Sequence, residues 1–216
     1  MNHRMLECAI GAIVSLVLLG PSALSQDQGA NSDANQQAVL KMAKEVRKQI
    51  VTQPQYGVFD NIHFAIQGGT VILRGQASRP TLKSGLESSV KKIGGVENVT
   101  NEIEVLPVGQ NDDRIRATVY RSIYSAPALQ RYTGNRGGMN RMPSVARAAG
   151  GITNDPPMGY HAIHIIVKNG NVTLIGVVDS DADFAIAGMR ANTVPGVFSV
   201  DNQLEVARKA TAAEKN

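Results

Sequence analysis

Two stretches decide the fold: IHFAIQGGTVILRG at residues 62–75 and IHIIVKNGNVTLIG at residues 163–176. They belong to a longer match in which residues 62–106 align without a gap on residues 163–207, at an offset of 101 residues, with 12 of 45 positions identical. Unrelated segments of this length would share about three identities, and self-similarity at a fixed offset is the mark of a repeated structural unit. The chain is therefore predicted to contain two copies of one module.

Each stretch has the pattern of a β-hairpin. Ile62, Phe64 and Ile66 share one face of a strand, and Val71 and Leu73 continue that face after a turn. The second copy repeats this alternation around Asn-Gly at 169–170, where the first has Gly-Gly at 68–69. Both dipeptides accept the positive φ angles of tight hairpin turns, so we expect two paired strands in each copy.

A helix and a third strand are predicted after each hairpin. Pro80 introduces the helix in the first copy, and Ser180, followed by two aspartates in the first turn, introduces it in the second. Glycine ends each helix, and alternating residues beginning at Val99 and Val200 predict the third strand.

Apolar residues at helical spacing also predict a helix ahead of each hairpin. They are Val39, Met42, Ala43, Val46 and Ile50 in the first copy, and Ile115, Val119 and Ile123 in the second. Each copy therefore reads α-β-β-α-β. The predicted fold class is α+β, with two αββαβ modules that each pack a small three-stranded sheet on two helices.

Six glycines recur at matched positions in the two copies. We interpret them as structural turn formers at the ends of strands and helices: Gly69, Gly75, Gly95, Gly170, Gly176 and Gly196.

The first 25 residues have the pattern of a cleaved signal peptide. Arg4 gives a positive start, Ile10 to Leu19 are apolar, and small residues precede a cleavage site after Ser25. The apolar run of about ten residues is short of the roughly 20 that span a membrane. Cys8 precedes that run, so the cysteine of a lipoprotein signal is missing. We expect a periplasmic or secreted protein.

The rest of the chain divides by composition and by the repeat. A polar segment at 26–34 is predicted to be a disordered leader, and residues 209–216 a disordered tail. The first module is predicted at 35–108 and the second at 109–208. The second copy carries 28 extra residues before its hairpin, which we expect to form a flexible Gly/Arg-rich insertion at about 133–160.

Residues that flank the second helix of the second copy resemble a known family signature. Val178-Asp179-Ser180 precede the helix, Val194-Pro195-Gly196-Val197 follow it, and Val200-Asp201-Asn202 come next. These motifs are similar to those of the BON domain family of bacterial envelope proteins, which share the predicted element order. The first copy departs from them, with Ala77-Ser78-Arg79 and Ile93-Gly94-Gly95-Val96. The resemblance implies association with phospholipid surfaces or other envelope components, without catalysis, and it names no ligand.

Basic residues are the candidates for binding an anionic membrane surface. Lys41, Lys44 and Lys48 form a stripe opposite the apolar face of the first helix, and Lys83, Lys91 and Lys92 add charge to the next one. The simpler interpretation is that these are solvated helix faces. The stretch from residue 131 to residue 147, which leads into the insertion, holds four arginines and no acidic residue: Arg131, Arg136, Arg141 and Arg147. It is either a contact to an anionic partner or a tolerated loop.

Other functional classes find little support. A formal charge of +4 is too small to indicate a nucleic-acid partner, and Arg136-Gly137-Gly138 is a single RGG unit. No Walker loop, nucleophile elbow or HExxH motif is present, so we expect no enzyme and no cofactor. His63 and His164 occupy matched strand positions with His161 nearby, but their spacing does not demand a metal. Helix capping accounts for Asp179, Asp181 and Asp183 better than calcium binding does.

The outer sheet faces are rather apolar and are expected to have a partner. They carry Ala65, Ile72, Ile166, Thr173 and Ile175. The other module is the first candidate, and a homo-oligomer or a client protein is the alternative.

Three functions follow from these patterns. The first is a non-enzymatic binding module that associates with the cell envelope through anionic phospholipid. The second is a periplasmic chaperone or a protein that protects against stress, such as osmotic stress, and the third is a structural part of an envelope assembly.

Overall fold

The structure, a computed structural model, describes residues 27–133, 157 and 160–207. Residues from Val39 onward form one compact unit, which contains both modules. The predicted signal peptide, the tail at 209–216 and nearly all of the Gly/Arg-rich insertion lie outside the described residues. Within the described residues, no helix is both long enough and apolar enough to span a membrane.

The first module consists of two helices and three strands. In chain order they are α1 (Asp27–Val51), β1 (Asn61–Gln67), β2 (Thr70–Ala77), α2 (Pro80–Val90) and β3 (Asn98–Val105). Helix α1 includes residues 27–34, for which the sequence predicts a disordered leader. The backbone can continue as a helix there because no proline interrupts the stretch.

The second module repeats this order. Its elements are α3 (Gln110–Tyr124), β4 (Ile163–Lys168), β5 (Asn171–Val178), α4 (Asp181–Asn192) and β6 (Ser199–Val206), with a short 3₁₀ helix at Gln130–Tyr132. The side-chain oxygen of Ser180 accepts a hydrogen bond from the amide of Asp183 and so caps α4. The prediction of an α+β fold with two αββαβ modules is confirmed.

The two sheets have the same topology and the same register. The strand orders are β1-β2-β3 and β4-β5-β6, in which the first pair is antiparallel and the second parallel. Ile62 pairs with Gly75, and Ile163 pairs with Gly176. Two parallel strands need a crossover connection, which α2 and α4 provide.

Each module buries an apolar layer between its sheet and its helices. In the first, the buried residues are Val46, Ile50, Ile62, Val71, Leu73, Ala77, Leu82, Leu86, Val90 and Ile103. In the second they include Ile115, Val119, Ile123, Ile163, Ile165, Val167, Val172, Leu174, Ala187, Ala191 and Leu204. Full burial of one such large side chain contributes roughly 1.5–3 kcal/mol, so these layers hold the modules together.

The structure corrects the prediction for two glycines. Gly75 and Gly176 lie inside β2 and β5 and not in turns. Their φ angles are 112° and 142°, and a Cβ atom at either position would lie 1.9 Å from a backbone oxygen, that of Asn61 or of Ala162. Glycine is needed here because the antiparallel neighbour comes so close. The four other glycines lie in turns: Gly69, Gly95, Gly170 and Gly196.

Candidate functional site

The lysines of α1 lie on its exposed side. Lys41, Lys44 and Lys48 are exposed, while Val46 and Ile50 on the opposite side are buried in the core. Nζ of Lys48 lies 3.7 Å from Oε2 of Glu45. Within the described part of the chain, Lys41 and Lys44 form no ion pair, so their charges face solvent.

Helices α1 and α2 contribute to one apolar core. Nε2 of Gln53, just after α1, donates a hydrogen bond of 2.7 Å to Oγ of Ser89 in α2, and the methyl group of Met42 lies against Gly95, beyond the end of α2. The lysines of these two helices and of the turn after α2 are called the helix layer below: Lys41, Lys44, Lys48, Lys83, Lys91 and Lys92. Lys83 is half-buried and the other five are exposed.

Among the described lysines of α2 and of the turn that follows it, Lys91 forms a close ion pair with Glu87. Nζ of Lys91 lies 2.6 Å from Oε1 of Glu87, and hydrogen bonds from Lys91 and Asn101 lower the pKa of the Glu87 carboxyl. Lys83 and Lys92 form no ion pair with any described residue. The helix layer therefore keeps most of its positive charge unneutralised.

The opposite side of this module carries two glutamates, both of which are paired. Glu102 and Glu104 lie on the outer face of β3, where Nε of Arg74 donates a hydrogen bond of 2.7 Å to Glu102 and Lys168 of the second module pairs with Glu104. These carboxylates are neutralised by neighbours on the sheet side. The module thus presents a net positive surface on the helix side alone.

Arg131 is engaged by residues of its own module. Its guanidinium pairs with Asp179 at 3.0 Å and with Asp183, and it lies 5.0 Å from the ring centroid of Tyr132. Burial alone would raise the pKa of Asp183, but hydrogen bonds from Ser180 and Tyr132 and the charge of Arg131 lower it. Arg131 therefore helps to hold the start of α4.

Of the four predicted arginines, the structure describes Arg131. Arg131 lies in the second module, and the remaining three, Arg136, Arg141 and Arg147, lie outside the described residues. Their contact with an anionic partner stays a prediction.

A loop of the first module enters the core of the second. Val58 and Phe59, between α1 and β1, are each 1% exposed and belong to the second apolar cluster. The amide of Ile165 donates a hydrogen bond of 2.8 Å to the carbonyl of Val58, and the ring of Phe59 lies 6.3 Å from that of Tyr120. This loop is a buried junction between the modules.

Asp60 fixes the end of that loop. Its carboxylate accepts hydrogen bonds from the amide and hydroxyl of Ser78, at 2.6 and 2.8 Å, and from the amide of Gly57 at 2.9 Å. Burial raises the pKa of this carboxyl, although the hydrogen bonds oppose the shift. The loop that carries Val58 is thereby tied to the end of β2.

A cleft of about 750 Å³ lies beside this junction. The ring of Tyr56 lies 5.7 Å from the ring of His164 in its wall. Burial raises the pKa of Tyr56 to about 12. Burial lowers the pKa of His164, and hydrogen bonding to the backbone of Asp60 and Gly57 partly opposes this second shift. Both side chains are therefore neutral at pH 7. Arg47 of α1 also lines this cleft.

The outer sheet faces of the two modules approach each other. Ile72 and Ile166 are 9% and 5% exposed. A second cavity, of about 470 Å³, is lined by residues of both faces, among them His63 and Ile175. Much of the apolar surface predicted on these faces is therefore covered within the chain.

The three neighbouring histidines have different environments. His63 is exposed, His164 is mostly buried, and His161 is buried with Nε2 3.1 Å from the hydroxyl of Tyr120. Among the described residues, no three His, Cys, Asp or Glu side chains are grouped so that they could hold a metal ion.

The family model of the BON domain matches this sequence twice, at residues 36–107 and 149–208. The chain belongs to the BON domain family. Its two BON domains correspond to the two modules, and membership indicates a periplasmic, envelope-associated module of a family that is generally non-enzymatic. No curated protein sequence matches the chain.

Two of the solved structures that resemble this BON protein are of a protein from the type III secretion system of Chlamydia trachomatis. The C-terminal domain of its structural protein CdsD is 14% identical, with 76% of this chain and 96% of that chain covered and a TM-score of 0.24. A second CdsD structure is 12% identical, with coverages of 79% and 94% and a TM-score of 0.25. A likeness at this level carries no information about function.

The sequence reasoning missed the residues that join the BON domains. Val58 and Phe59 form an apolar pair between a glycine and an aspartate in a loop, which is a signal of burial, but their partners Tyr120 and Ile165 lie about 60 and 107 residues later. Arg47 was also missed, since it lies beside the lysine stripe and not within it. The lysines were found because helical spacing alone places them on one side.

Proposed function

We propose that this protein is a non-enzymatic periplasmic binding module that associates with anionic phospholipid surfaces of the cell envelope. The first BON domain makes the contact through its α1–α2 helix layer. One observation carries the proposal: the lysines of α1 and of the turn after α2 are exposed, both helices cover one core, and most of these lysines have no ion-pair partner among the described residues.

The charge of α1 is concentrated where a membrane could meet it. Residues 39–51 contain four basic side chains and one acidic side chain, Glu45. An anionic leaflet attracts such a segment, by about 1 kcal/mol for each basic residue near the surface. The two glutamates on the outer face of β3 are paired with Arg74 and Lys168, so they do not oppose this attraction.

Apolar side chains accompany the charge on the same helix. Leu40, Lys44, Arg47 and Val51 are spaced by four, three and four residues and so lie along one face. Leu40 is 61% exposed and Val51 is 56% exposed. A helix that lies on a membrane inserts apolar side chains between headgroups while its basic residues meet the phosphates. The two exposed aliphatic residues suit this arrangement.

Co-sedimentation of the full chain with phosphatidylglycerol vesicles tests the proposal. The variant Lys41→Gln/Lys44→Gln/Lys48→Gln removes three exposed charges that have no role in the core. Three lysines are together worth about 3 kcal/mol at the surface, so the partition coefficient should fall roughly a hundredfold at low salt.

A matched control removes the same charge elsewhere. Arg114→Gln/Arg121→Gln/Arg190→Gln replaces three exposed basic residues of the second BON domain. This control should bind the vesicles nearly as well as the unaltered chain. Equal losses in both triple variants would mean that only net charge matters, and the assignment to the helix layer would be wrong.

The chaperone alternative has less support. It needs accessible apolar sheet faces, and Ile72 and Ile166 on those faces are buried. Suppression of client aggregation without lipid by the full chain, together with no vesicle binding, would favour this alternative over ours.

A further inference from the structure

We infer that the cleft between the two BON domains binds a single-chain amphipathic anion, with medium-chain carboxylates as the chemical class. This site shares Arg47 and Val51 with the exposed face of α1, contains none of the lysines of the helix layer, and does not require a membrane. Its volume of about 750 Å³ falls within the roughly 300–1,000 Å³ of small-molecule pockets, which accommodates one chain and one headgroup.

The walls of the cleft are largely apolar. Both domains contribute to them, through Ile50, Val51, Val58, Ile62, Phe64 and Val177. Val51 and Val177 are 56% and 49% exposed, so apolar surface is left open to solvent inside a concavity. Covering such surface with an alkyl chain is favourable, because it removes apolar area from water.

The charge of the lining favours an anion. Among the described residues that line the cleft there is one arginine, Arg47, with three histidines and no Asp or Glu. Arg47 is exposed and forms no ion pair with a described residue. A guanidinium can bind a carboxylate through two parallel hydrogen bonds, so the headgroup would sit at Arg47 with the chain along the apolar wall.

Titration of the full chain with sodium decanoate, below its micelle concentration and without vesicles, tests the inference by NMR and calorimetry. Decanoate should perturb the signals of Tyr56, His164 and Val177. Decanol and decyltrimethylammonium have the same chain with no charge or a positive charge, and both should bind at least about tenfold more weakly.

Two variants locate the site. Arg47→Gln should weaken decanoate binding about tenfold, and Val177→Gln should weaken it by a similar factor because it places an amide in the apolar wall. Both positions are exposed, so neither change should unfold the protein. Arg190→Gln, an exposed basic position outside the cleft, is the matched control and should leave decanoate affinity unchanged.

The outcomes separate this site from the lipid surface. No saturable decanoate binding, equal affinity for decanol, or unchanged affinity in Arg47→Gln would overturn the inference. Vesicle binding is measured separately in samples without decanoate, so either proposal can fail while the other stands.

Discussion

The amide of Ile165 in β4 donates a hydrogen bond of 2.8 Å to the carbonyl of Val58, which belongs to the loop between α1 and β1 of the other BON domain. The loop thereby occupies part of the open edge of the second sheet, and it places Val58 and Phe59 in the second core. An edge strand with unpaired backbone groups is a liability in isolation. The two domains are therefore expected to depend on each other for stability.

Truncation of Phe59 tests this dependence. Phe59→Ala should lower the free energy of unfolding by about 3–5 kcal/mol, because a fully buried aromatic side chain leaves a cavity. The loss should appear in the signals of the second domain, although Phe59 belongs to the first. Denaturant unfolding with tyrosine fluorescence and residue-resolved NMR measures both. Val108→Ala, at an 86% exposed position, is the control. A loss confined to the first domain would contradict the prediction.

Substitution of a glycine inside a strand should lower the stability of the protein more than substitution of a glycine in an open turn. Gly176→Ala should cost several kcal/mol, because Cβ would meet the oxygen of Ala162 at a φ angle that alanine rarely adopts. Gly94→Ala is the contrasting change, since a Cβ atom there meets nothing within 4 Å. Thermal unfolding compares the two. Similar melting temperatures for both variants would count against the close approach in β5.

The pKa of Asp183 gives an acid-dependent prediction. The folded state lowers this pKa below its ordinary value of 3.8, so its contribution to stability is complete at pH 7 and is lost as the pH falls through the folded value. Asp183→Asn should therefore be less stable than the unaltered chain at pH 7, and the difference should shrink below pH 4. Urea unfolding at a series of pH values measures it. A difference that is constant down to pH 2 would rule out the ionised carboxylate as its source.

The buried histidine should make the junction sensitive to mild acid. Burial lowers the pKa of His164 below 6.5, so the unfolded chain takes up a proton first and stability falls as the pH drops below 6.5. His164→Gln removes the titration, and its stability should change less between pH 7 and pH 5 than that of the unaltered chain. His63→Gln, at the matched but exposed strand position, is the control. An identical pH profile for the unaltered chain and the two variants would contradict the prediction.

Much of this fold could be predicted because the same sequence pattern occurs in both copies of the repeat. Alternation around Gly68-Gly69 and Asn169-Gly170 predicts the hairpins, and helical spacing predicts the exposure of Lys41, Lys44 and Lys48. These features depend on residues that are close in the sequence. The two copies also share one register, since Ile62 pairs with Gly75 as Ile163 pairs with Gly176.

The rest depends on contacts that local sequence does not encode. His63 and His164 occupy matched positions, yet only His164 is covered by the loop of the other domain. Arg131 belongs to a basic cluster in the sequence, but two aspartates about fifty residues later neutralise it. Which face is covered is decided by the packing of one domain on the other, and the pairing of Arg131 is decided by contacts between distant residues of one domain.

The most direct test of the central proposal is the partitioning of the unaltered full chain between buffer and vesicles of two compositions. At low ionic strength the chain should sediment with phosphatidylglycerol vesicles and remain in solution with phosphatidylcholine vesicles, and about 0.5 M salt should release it because the Debye length shrinks to a few ångströms. Equal binding to both lipids, or no binding to phosphatidylglycerol at low salt, would contradict the assignment of the basic helix layer as a surface for anionic phospholipid.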